Sequence, residues 1–416
     1  MSTKPRHGGQ ILVEQLLLQG VVRVFCVPGE SYLAALDGLY HSGIDTIVCR
    51  QEGGASMMAE ADGKLSGRPG IAFVTRGPGA TNAASGVHVA FQDSTPMILF
   101  IGQVASDQRD REAFQEVDYR RMYGPLAKWV GEIDRTDRIA EYLSHAFHLT
   151  MSGRPGPVVL SLPEDVLSAR AAVADTEKAM PAVPRAHPAD AGRVLDRLAA
   201  AQRPLIIVGG GGWSAQASRD LARTAEALDV PVGVSFRCQD YLDNNHPNYV
   251  GDIGIGINPK LAERVRNADL LLVLGARLGE MTTSGYTLVS VPNPTQTLIH
   301  VHAGADEPGR VYRPNMAINA SAASMLAELR ARLPGHLPAI GTRTQTARAE
   351  YETWNTPVES PGAVKMERIV AHLGQVLPDD AIVTNGAGNY SAWCNRFYSY
   401  RGFRTQLAPT SGSMGY

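Results

Sequence analysis

Val48-Cys-Arg-Gln-Glu-Gly-Gly-Ala55 is the junction on which the reading of this chain turns. A short apolar run ends there in an acid, Glu52, and the residues after it open a helical stretch reaching to about Leu65. An acid in the first turn of a helix is commonplace, because it meets the positive end of the helix dipole for a gain of up to roughly 1 kcal/mol. Two local features give Glu52 a second reading. Gly53, Gly54 and Ala55 strip side-chain bulk from the helix start, which leaves room for a flat group. The apolar run before Glu52 partly removes its carboxylate from water, as a proton-sharing role requires.

The same strand-turn-helix pattern recurs on either side. Gly77-Pro-Gly-Ala-Thr-Asn82 follows the apolar run Ile71–Thr75 and leads into a helix beginning near Ala80. Glycines at such a turn let the backbone approach a ligand closely, although a turn of this kind taken alone is an ordinary βα connection. Further strands are expected at Val24–Val27, Thr46–Cys49, Ile98–Ile101 and Pro157–Leu162. Continuous apolar strands separated by helices belong to a parallel sheet covered on both faces, so residues 1–170 read as a doubly wound α/β domain. Residues 171–190, rich in Ala and Pro, read as a linker. A second α/β domain is expected over 191–333, with strands at Pro204–Val208, Val232–Val234, Leu270–Leu274 and Leu298–His302. A polar linker covers 334–362. The helix Met366–Leu377 and the strand Ala381–Thr384 then begin a third α/β domain over 363–416. That stretch is too short for a core of its own and is expected to pack poorly or lean on a neighbour.

Composition narrows the function. The 416 residues are 44% hydrophobic and 19% charged, with a formal net charge of -2 and no basic cluster, which argues against a nucleic-acid partner. The N-terminus runs into an amphipathic helix rather than a signal-peptide core, and apolar runs such as Leu270–Leu274 are strand length, not membrane length. A cytoplasmic protein without a membrane partner is expected. Cys26, Cys49, Cys238 and Cys394 form no Cys-x-x-Cys pair, as suits reduced thiols. The eleven histidines show no metal-ligand spacing, and His88, His300 and His302 read as core or surface residues. Gly209-Gly-Gly-Gly212 after a strand invites a dinucleotide-binding reading, but the match to Gly-x-Gly-x-x-Gly is loose. Gly251-Asp-Ile-Gly-Ile-Gly256 lacks a strong strand before it, and Ala303-Gly-Ala305 stands where a ribose-binding acid is expected. A Rossmann-like domain without nucleotide explains these features at least as well. By composition, Phe114–Asp118 and Ser152–Pro157 are loops and nothing more.

The order and spacing of these stretches carry more than any one of them. Val27-Pro-Gly-Glu30, Arg50-Gln-Glu-Gly-Gly-Ala55, Arg76-Gly-Pro-Gly-Ala-Thr-Asn82, Gln92-Asp-Ser-Thr-Pro96, Phe114-Gln-Glu116, Ser152-Gly-Arg-Pro-Gly-Pro157, Gly275-Ala-Arg277 and Gly412-Ser-Met-Gly415 form a series along essentially the whole chain. It resembles the thiamine diphosphate (ThDP) enzymes of the acetolactate synthase group. The resemblance implies a three-domain architecture of doubly wound parallel sheets: a pyrimidine-binding domain, a central domain and a diphosphate-binding domain, the third truncated here. It implies active sites at a dimer interface in a homodimer or homotetramer.

By the same resemblance Glu52 is the catalytic glutamate that shares a proton with N1′ of the cofactor's aminopyrimidine. Pro28, Pro78 and Asn82 line the cofactor pocket, and Gly388, Asn389 and Tyr390 form the turn near the diphosphate. Gly412 presents a carbonyl to the 4′-amino group, and Met414 is the bulky residue beneath the bent cofactor. Phe114 and Gln115 fall on the substrate side, and Arg154 and Arg277 at positions that meet FAD. The implied reaction is decarboxylation of a 2-oxo acid followed by carboligation, with pyruvate the first donor expected. The Mg²⁺ ligands that anchor the diphosphate are expected beyond residue 416, so the chain by itself is expected to bind ThDP weakly and to be inactive. Leu278-Gly-Glu280 and His302-Ala-Gly-Ala305 depart from the acid-rich runs of FAD-binding members and count against FAD. Glu30 and Gln51 replace a glycine and a histidine of typical members, which leaves the substrate open. Another ThDP lyase, decarboxylase or oxidase, and a non-catalytic assembly or nucleotide-binding module, stay as alternatives.

Overall fold

The computed structural model describes residues 4–333 and 341–416. The chain divides into two compact units, residues 1–182 with 415–416, and residues 183–414.

The first unit is built on six parallel strands: β1 (Arg23–Cys26), β2 (Asp45–Val48), β3 (Gly70–Val74), β4 (Met97–Gln103), β5 (Trp129–Glu132) and β6 (Pro157–Pro163). Their order in the sheet is β2-β1-β3-β4-β6-β5. Its longer helices are α1 (Gly8–Leu18), α2 (Leu33–Tyr40), α3 (Glu52–Ser66), α4 (Pro78–Asp93) and α5 (Ile139–Met151). Alternate residues of each strand point to opposite faces. Val24, Phe73, Phe100 and Leu160 therefore share a core with Ile11, Leu12 and Leu143 of α1 and α5. Ala72, Val74, Leu99 and Val159 share the other with Ala55 and Ala59 of α3 and Ala80, Ala83 and Val87 of α4. Burial on both faces is why the central strands are apolar without interruption.

The strand order reverses between β1 and β3, so the loops leaving the carboxyl ends of these two strands diverge and open a crevice. Crevices of this kind are where open α/β sheets bind ligands. Pro28 follows β1, Glu52 follows β2 and Pro78 follows β3, all at that one edge. β5 was not expected from the sequence, because Trp129-Val-Gly-Glu132 at the sheet edge lacks a continuous apolar run.

The second unit repeats the plan with β7 (Pro204–Val208), β8 (Val232–Ser235), β9 (Tyr249–Ile253), β10 (Leu270–Leu274), β11 (Thr297–His302) and β12 (Met316–Asn319), all parallel in the order β9-β8-β7-β10-β11-β12. Helices α6 (Pro188–Ala200), α7 (Ala215–Leu228), α8 (Pro259–Asn267) and α9 (Ala322–Arg330) accompany it. β9 corrects the expectation that no strand enters the turn at Gly251–Gly256. Its two glycine-free ends, Tyr249-Val250 and Ile253, are buried, while Gly251 and Asp252 interrupt the apolar pattern that signals a strand.

Both stretches read as linkers carry structure. Arg170–Ala171 pairs antiparallel with Arg6–His7, and Asp175 accepts from Arg6 and Gln15, each at 2.8 Å, so the start of 171–190 is docked on α1. Pro188 already opens α6. In the segment 334–362, residues 334–340 lie outside the described residues, and Thr342–Asn355 forms a helix, α10. Thr344, Ala347 and Tyr351 make its buried stripe, with the Tyr351 ring edge-on to Tyr249 at 5.1 Å. A mostly polar surface hid that stripe in the sequence.

Beyond it, α11 (Met366–Val376), β13 (Val383–Thr384), α12 (Ser391–Phe397) and β14 (Gln406–Leu407) gather around Val370, Phe397, Tyr398 and Tyr400. This small cluster is stitched to the rest of the second unit by buried hydrogen bonds. The backbone N–H of Gln239 donates to Gln406 at 2.8 Å, that of Thr405 to Asp240 at 3.0 Å and that of Tyr400 to Asn244 at 2.9 Å.

Candidate active site

Glu52 is the first residue of α3. Gln51 caps the helix, its side-chain oxygen accepting from the N–H of Gly54 at 2.9 Å, which turns the chain sharply out of β2 and aims residue 52 at the crevice edge. The Glu52 carboxylate has two distinct faces. Oε2 accepts a hydrogen bond from the Asn82 side-chain amide of α4 at 3.0 Å. Oε1 looks at Gly79, where a Cβ would sit 3.3 Å away and cover it. One oxygen is thus held by the protein and the other is left open by a missing side chain. Glu52 itself is half-buried and Asn82 exposed. The apolar run in front of Glu52 gives less shelter than the sequence suggested, because β2 is an edge strand and Val48 is 65% exposed.

The turn after β3 is fixed independently. Gly77 takes φ +60°, its N–H donates to the Tyr119 hydroxyl at 2.9 Å, and a Cβ there would lie 2.8 Å from Cβ of Gln115. Burial pushes the Tyr119 phenol up to about 12, so it stays a neutral acceptor. Pro78 then begins α4, its fixed φ suited to a first helical position. This contact brings Phe114 and Gln115 beside the Gly77-Pro78 turn. Gln115 is left-handed at φ +67°, and its side-chain oxygen is buried without a hydrogen-bond partner. Phe114 stands out at 75% exposure. Pro28, exposed at the end of β1, precedes Gly29, whose close approach to Thr75 joins the first loop to the third.

In the second unit, the N–H of Gly386 donates to the Tyr390 hydroxyl at 3.0 Å, and the N–H of Ala387 to the Ser413 carbonyl at 3.1 Å. Gly388, Asn389 and Tyr390 are therefore brought together with Gly412 and Met414. Gly388 and Gly412 have φ +125° and +69°, and Met414 is 82% exposed. Arg237 ties the base of both loops, donating to the carbonyls of Pro409 at 2.8 Å and Gly386 at 3.1 Å. Sequence reasoning missed Arg237, and no local pattern could have shown it, because its partners are 172 and 149 residues away.

The two arginines that the resemblance places toward FAD are engaged within their own units. Arg154 donates to Ser94 at 2.8 Å and to the Phe91 carbonyl at 2.5 Å, and Arg277 lies 3.5 Å from Glu307. The glycines at 209–212 also have a packing explanation. Gly210 would drive a Cβ to within 2.0 Å of the Gly275 carbonyl, and the buried Trp213 indole donates to the Gly209 carbonyl at 2.8 Å within the loop leaving β7, beside the β7–β10 crevice. His300 and His302 are core residues, and burial pushes His300 down to about 4. The four cysteines are free thiols. Among the described residues, no group of His, Cys, Asp and Glu could hold a metal ion, and no helix is long and apolar enough to cross a membrane.

A parallel α/β unit that presents a carboxylate with one oxygen pinned and the other open has room for a flat heterocycle beside that acid. Comparison with known proteins gives the family. Residues 6–122 match the N-terminal TPP-binding domain of thiamine pyrophosphate enzymes, and residues 191–329 match their central domain. The chain is 30% identical to the acetolactate synthase isozyme 1 large subunit of Escherichia coli, covering 100% of this chain and 73% of that protein. It is 29% identical to the isozyme 3 large subunit of the same organism (98% and 72% covered) and 28% identical to the acetolactate synthase large subunit of Lactococcus lactis (99% and 72%). The chain belongs to the thiamine pyrophosphate enzymes and is an acetolactate synthase-like member of that family.

Proposed function

We propose that this protein decarboxylates a 2-oxo acid, pyruvate first among them, and transfers the remaining acyl carbon to an acceptor, with Glu52 as the catalytic carboxylate. The observation that carries the reading is the asymmetry of Glu52, with Oε2 held by Asn82 at 3.0 Å and Oε1 facing the bare Cα of Gly79. A flat ring nitrogen fits that opening, and any side chain at 79 would fill it. The residues present fit the aminopyrimidine of thiamine diphosphate, with Pro28, Pro78 and Asn82 around it. Within the second unit, taken by itself, the turn Gly388-Asn-Tyr390 and the segment Gly412–Met414 lie together as residues that would hold a diphosphate.

When bound, thiamine diphosphate supplies a nucleophilic thiazolium carbon and an electron sink for the carbon–carbon bond that breaks. The chain's own part is placement and proton traffic. Glu52 would hold a proton at Oε1 for a ring nitrogen of that group. Asn82 keeps the carboxylate from swinging away by donating to the other oxygen, a charge-assisted bond of the stronger kind. Phe114 and Gln115 border the space where the 2-oxo acid would meet the cofactor. The described residues offer no ligand set for Mg²⁺, and no step is assigned to it. Val48, exposed on the edge strand beside Glu52, supports a homodimer or homotetramer in which a second copy covers that flank.

The test is exchange of the cofactor's C2 proton with deuterium, followed by NMR. Where the Mg²⁺ ligands expected beyond residue 416 are present, the protein with ThDP and Mg²⁺ is expected to exchange fast, and Glu52→Gln to lose the acceleration. Normal exchange in Glu52→Gln would sink the assignment.

A further inference from the structure

Phe114 and Gln115 sit at the tip of a loop where Gln115 packs on Gly77 and the Phe114 side chain is 75% exposed. The loop backbone is nevertheless pinned at several points. Glu116 accepts from the N–H groups of Asp110 at 2.7 Å and Ala113 at 3.0 Å, and these bonds hold its carboxyl below the usual range. Gln103 donates to the Val117 carbonyl at 3.0 Å. These contacts shape the loop and anchor its trailing end. The tip is tied to the turn carrying Pro78 by a different residue. Arg76 donates from Nε to the Phe114 carbonyl at 3.2 Å, while its own backbone N–H donates to Ser31 at 3.3 Å.

A second nitrogen of the Arg76 guanidinium, Nη1, is engaged as well. It ion-pairs with Glu164, just past the end of β6, and the Arg76 side chain is only 11% exposed against 40% for Glu164. The charge is therefore neutralised and turned inward. Arg76 is badly placed to receive a substrate carboxylate and well placed to lock one loop to another. A planar guanidinium suits this double duty, because one nitrogen points at the carbonyl while another meets the carboxylate. An ammonium has no such fork.

We infer that Arg76 is a positioning residue: it sets the distance between the Phe114-Gln115 loop and the Gly77-Pro78 turn, and so the size of the space left for the 2-oxo acid. The inference rests on the reading of Phe114 and Gln115 as substrate-side residues, and it assigns Arg76 no contact with substrate.

Two variants of the intact protein test it. Arg76→Lys keeps a cation for Glu164 but loses the Nε–H donor, and Glu164→Gln keeps the donor but loses the ion pair. In Arg76→Lys, amide hydrogen exchange at Gly77, Asp110, Ala113 and Glu116 is expected to quicken about tenfold, the loss of one charge-assisted bond, with the amides of α1 unchanged. KM for pyruvate is expected to rise by about the same factor, while kcat and C2-proton exchange stay within about twofold. Glu164→Gln should move the same quantities in the same direction by less. Unchanged loop exchange in Arg76→Lys overturns the inference, as does a loosened loop with unaltered KM. So does a joint fall in kcat, C2 exchange and α1 protection, which a merely structural role would give. Absence of C2 exchange in an unsubstituted protein that carries the Mg²⁺ ligands would instead refute the cofactor reading. Loop hydrogen exchange needs no cofactor, so it still decides where Arg76 holds the chain.

Discussion

Asn82 is the residue most directly answerable for the geometry of Glu52. It is exposed, so its replacement leaves no cavity and no buried orphan. Asn82→Ala is expected to slow C2-proton exchange by about tenfold, the worth of one hydrogen bond to a charged group, without lowering the thermal midpoint. NMR exchange and calorimetry on the same sample would check both halves. A drop in midpoint with unchanged exchange would show that Asn82 serves the fold and not the carboxylate. The pair Glu52 and Asn82 was readable in the sequence because each stands at the start of a helix, in a motif of its own. Arg76 lay inside one of those motifs, yet its tie to Phe114 was not readable. The tie spans 38 residues and ends on a backbone carbonyl, which carries no residue-type signal at all.

Helices α3 and α4 hold that pair together, and they do so by being thin. Ala55, Ala59, Ala80 and Ala83 let both helices lie close on the sheet, and Gly86 lets them lie close to each other, since a Cβ there would come within 2.3 Å of the Ser56 hydroxyl. Gly86→Val is expected to force the helices apart at a cost of about 1–3 kcal/mol, as overpacking does, and to slow C2 exchange by moving Asn82 off Glu52. Chemical denaturation and the exchange assay would show the two effects together. In the second unit, Arg237→Met should free the loops at Gly386 and Pro409, seen as faster amide exchange at Ala387, with the parallel sheet unaffected. The elements that the sequence displayed best are those buried on both faces. Leu270–Leu274 runs as read, and the helix from Glu52 ends one residue past its expected limit. The elements it hid are amphipathic or marginal: β5 and β12 at sheet edges and α10 with a narrow buried stripe. There the burial signal is diluted by polar residues facing water.

Across the chain, two six-stranded parallel sheets and a smaller cluster beside the second supply the stability, and in the second sheet pH should act through Asp252. Burial pushes the Asp252 carboxyl up to about 7, against the opposing pull of Arg237, and its Oδ1 has no hydrogen-bond partner. An acid whose folded value is raised keeps its proton longer when folded than when unfolded. Stability from this group is therefore full below the unfolded value near 3.8, falls as pH rises to about 7, and stays level above. Asp252→Asn is expected to flatten that decline, so it should gain stability over the parent at about pH 8 and none near pH 4, measured by urea melts. Equal gain at both would show that Asp252 is charged throughout.

Trp213 has a use beyond its place in the crevice. Of the four tryptophans it alone is buried, at 6% exposure. An indole shielded from solvent emits at shorter wavelength than the three at partly wetted sites, so the blue edge of the protein's fluorescence belongs chiefly to one residue in the second unit. That light should dim or redden when the second unit opens and stay constant when only the first does. The protein thus carries its own optical label for telling the unfolding of one half from the unfolding of the other.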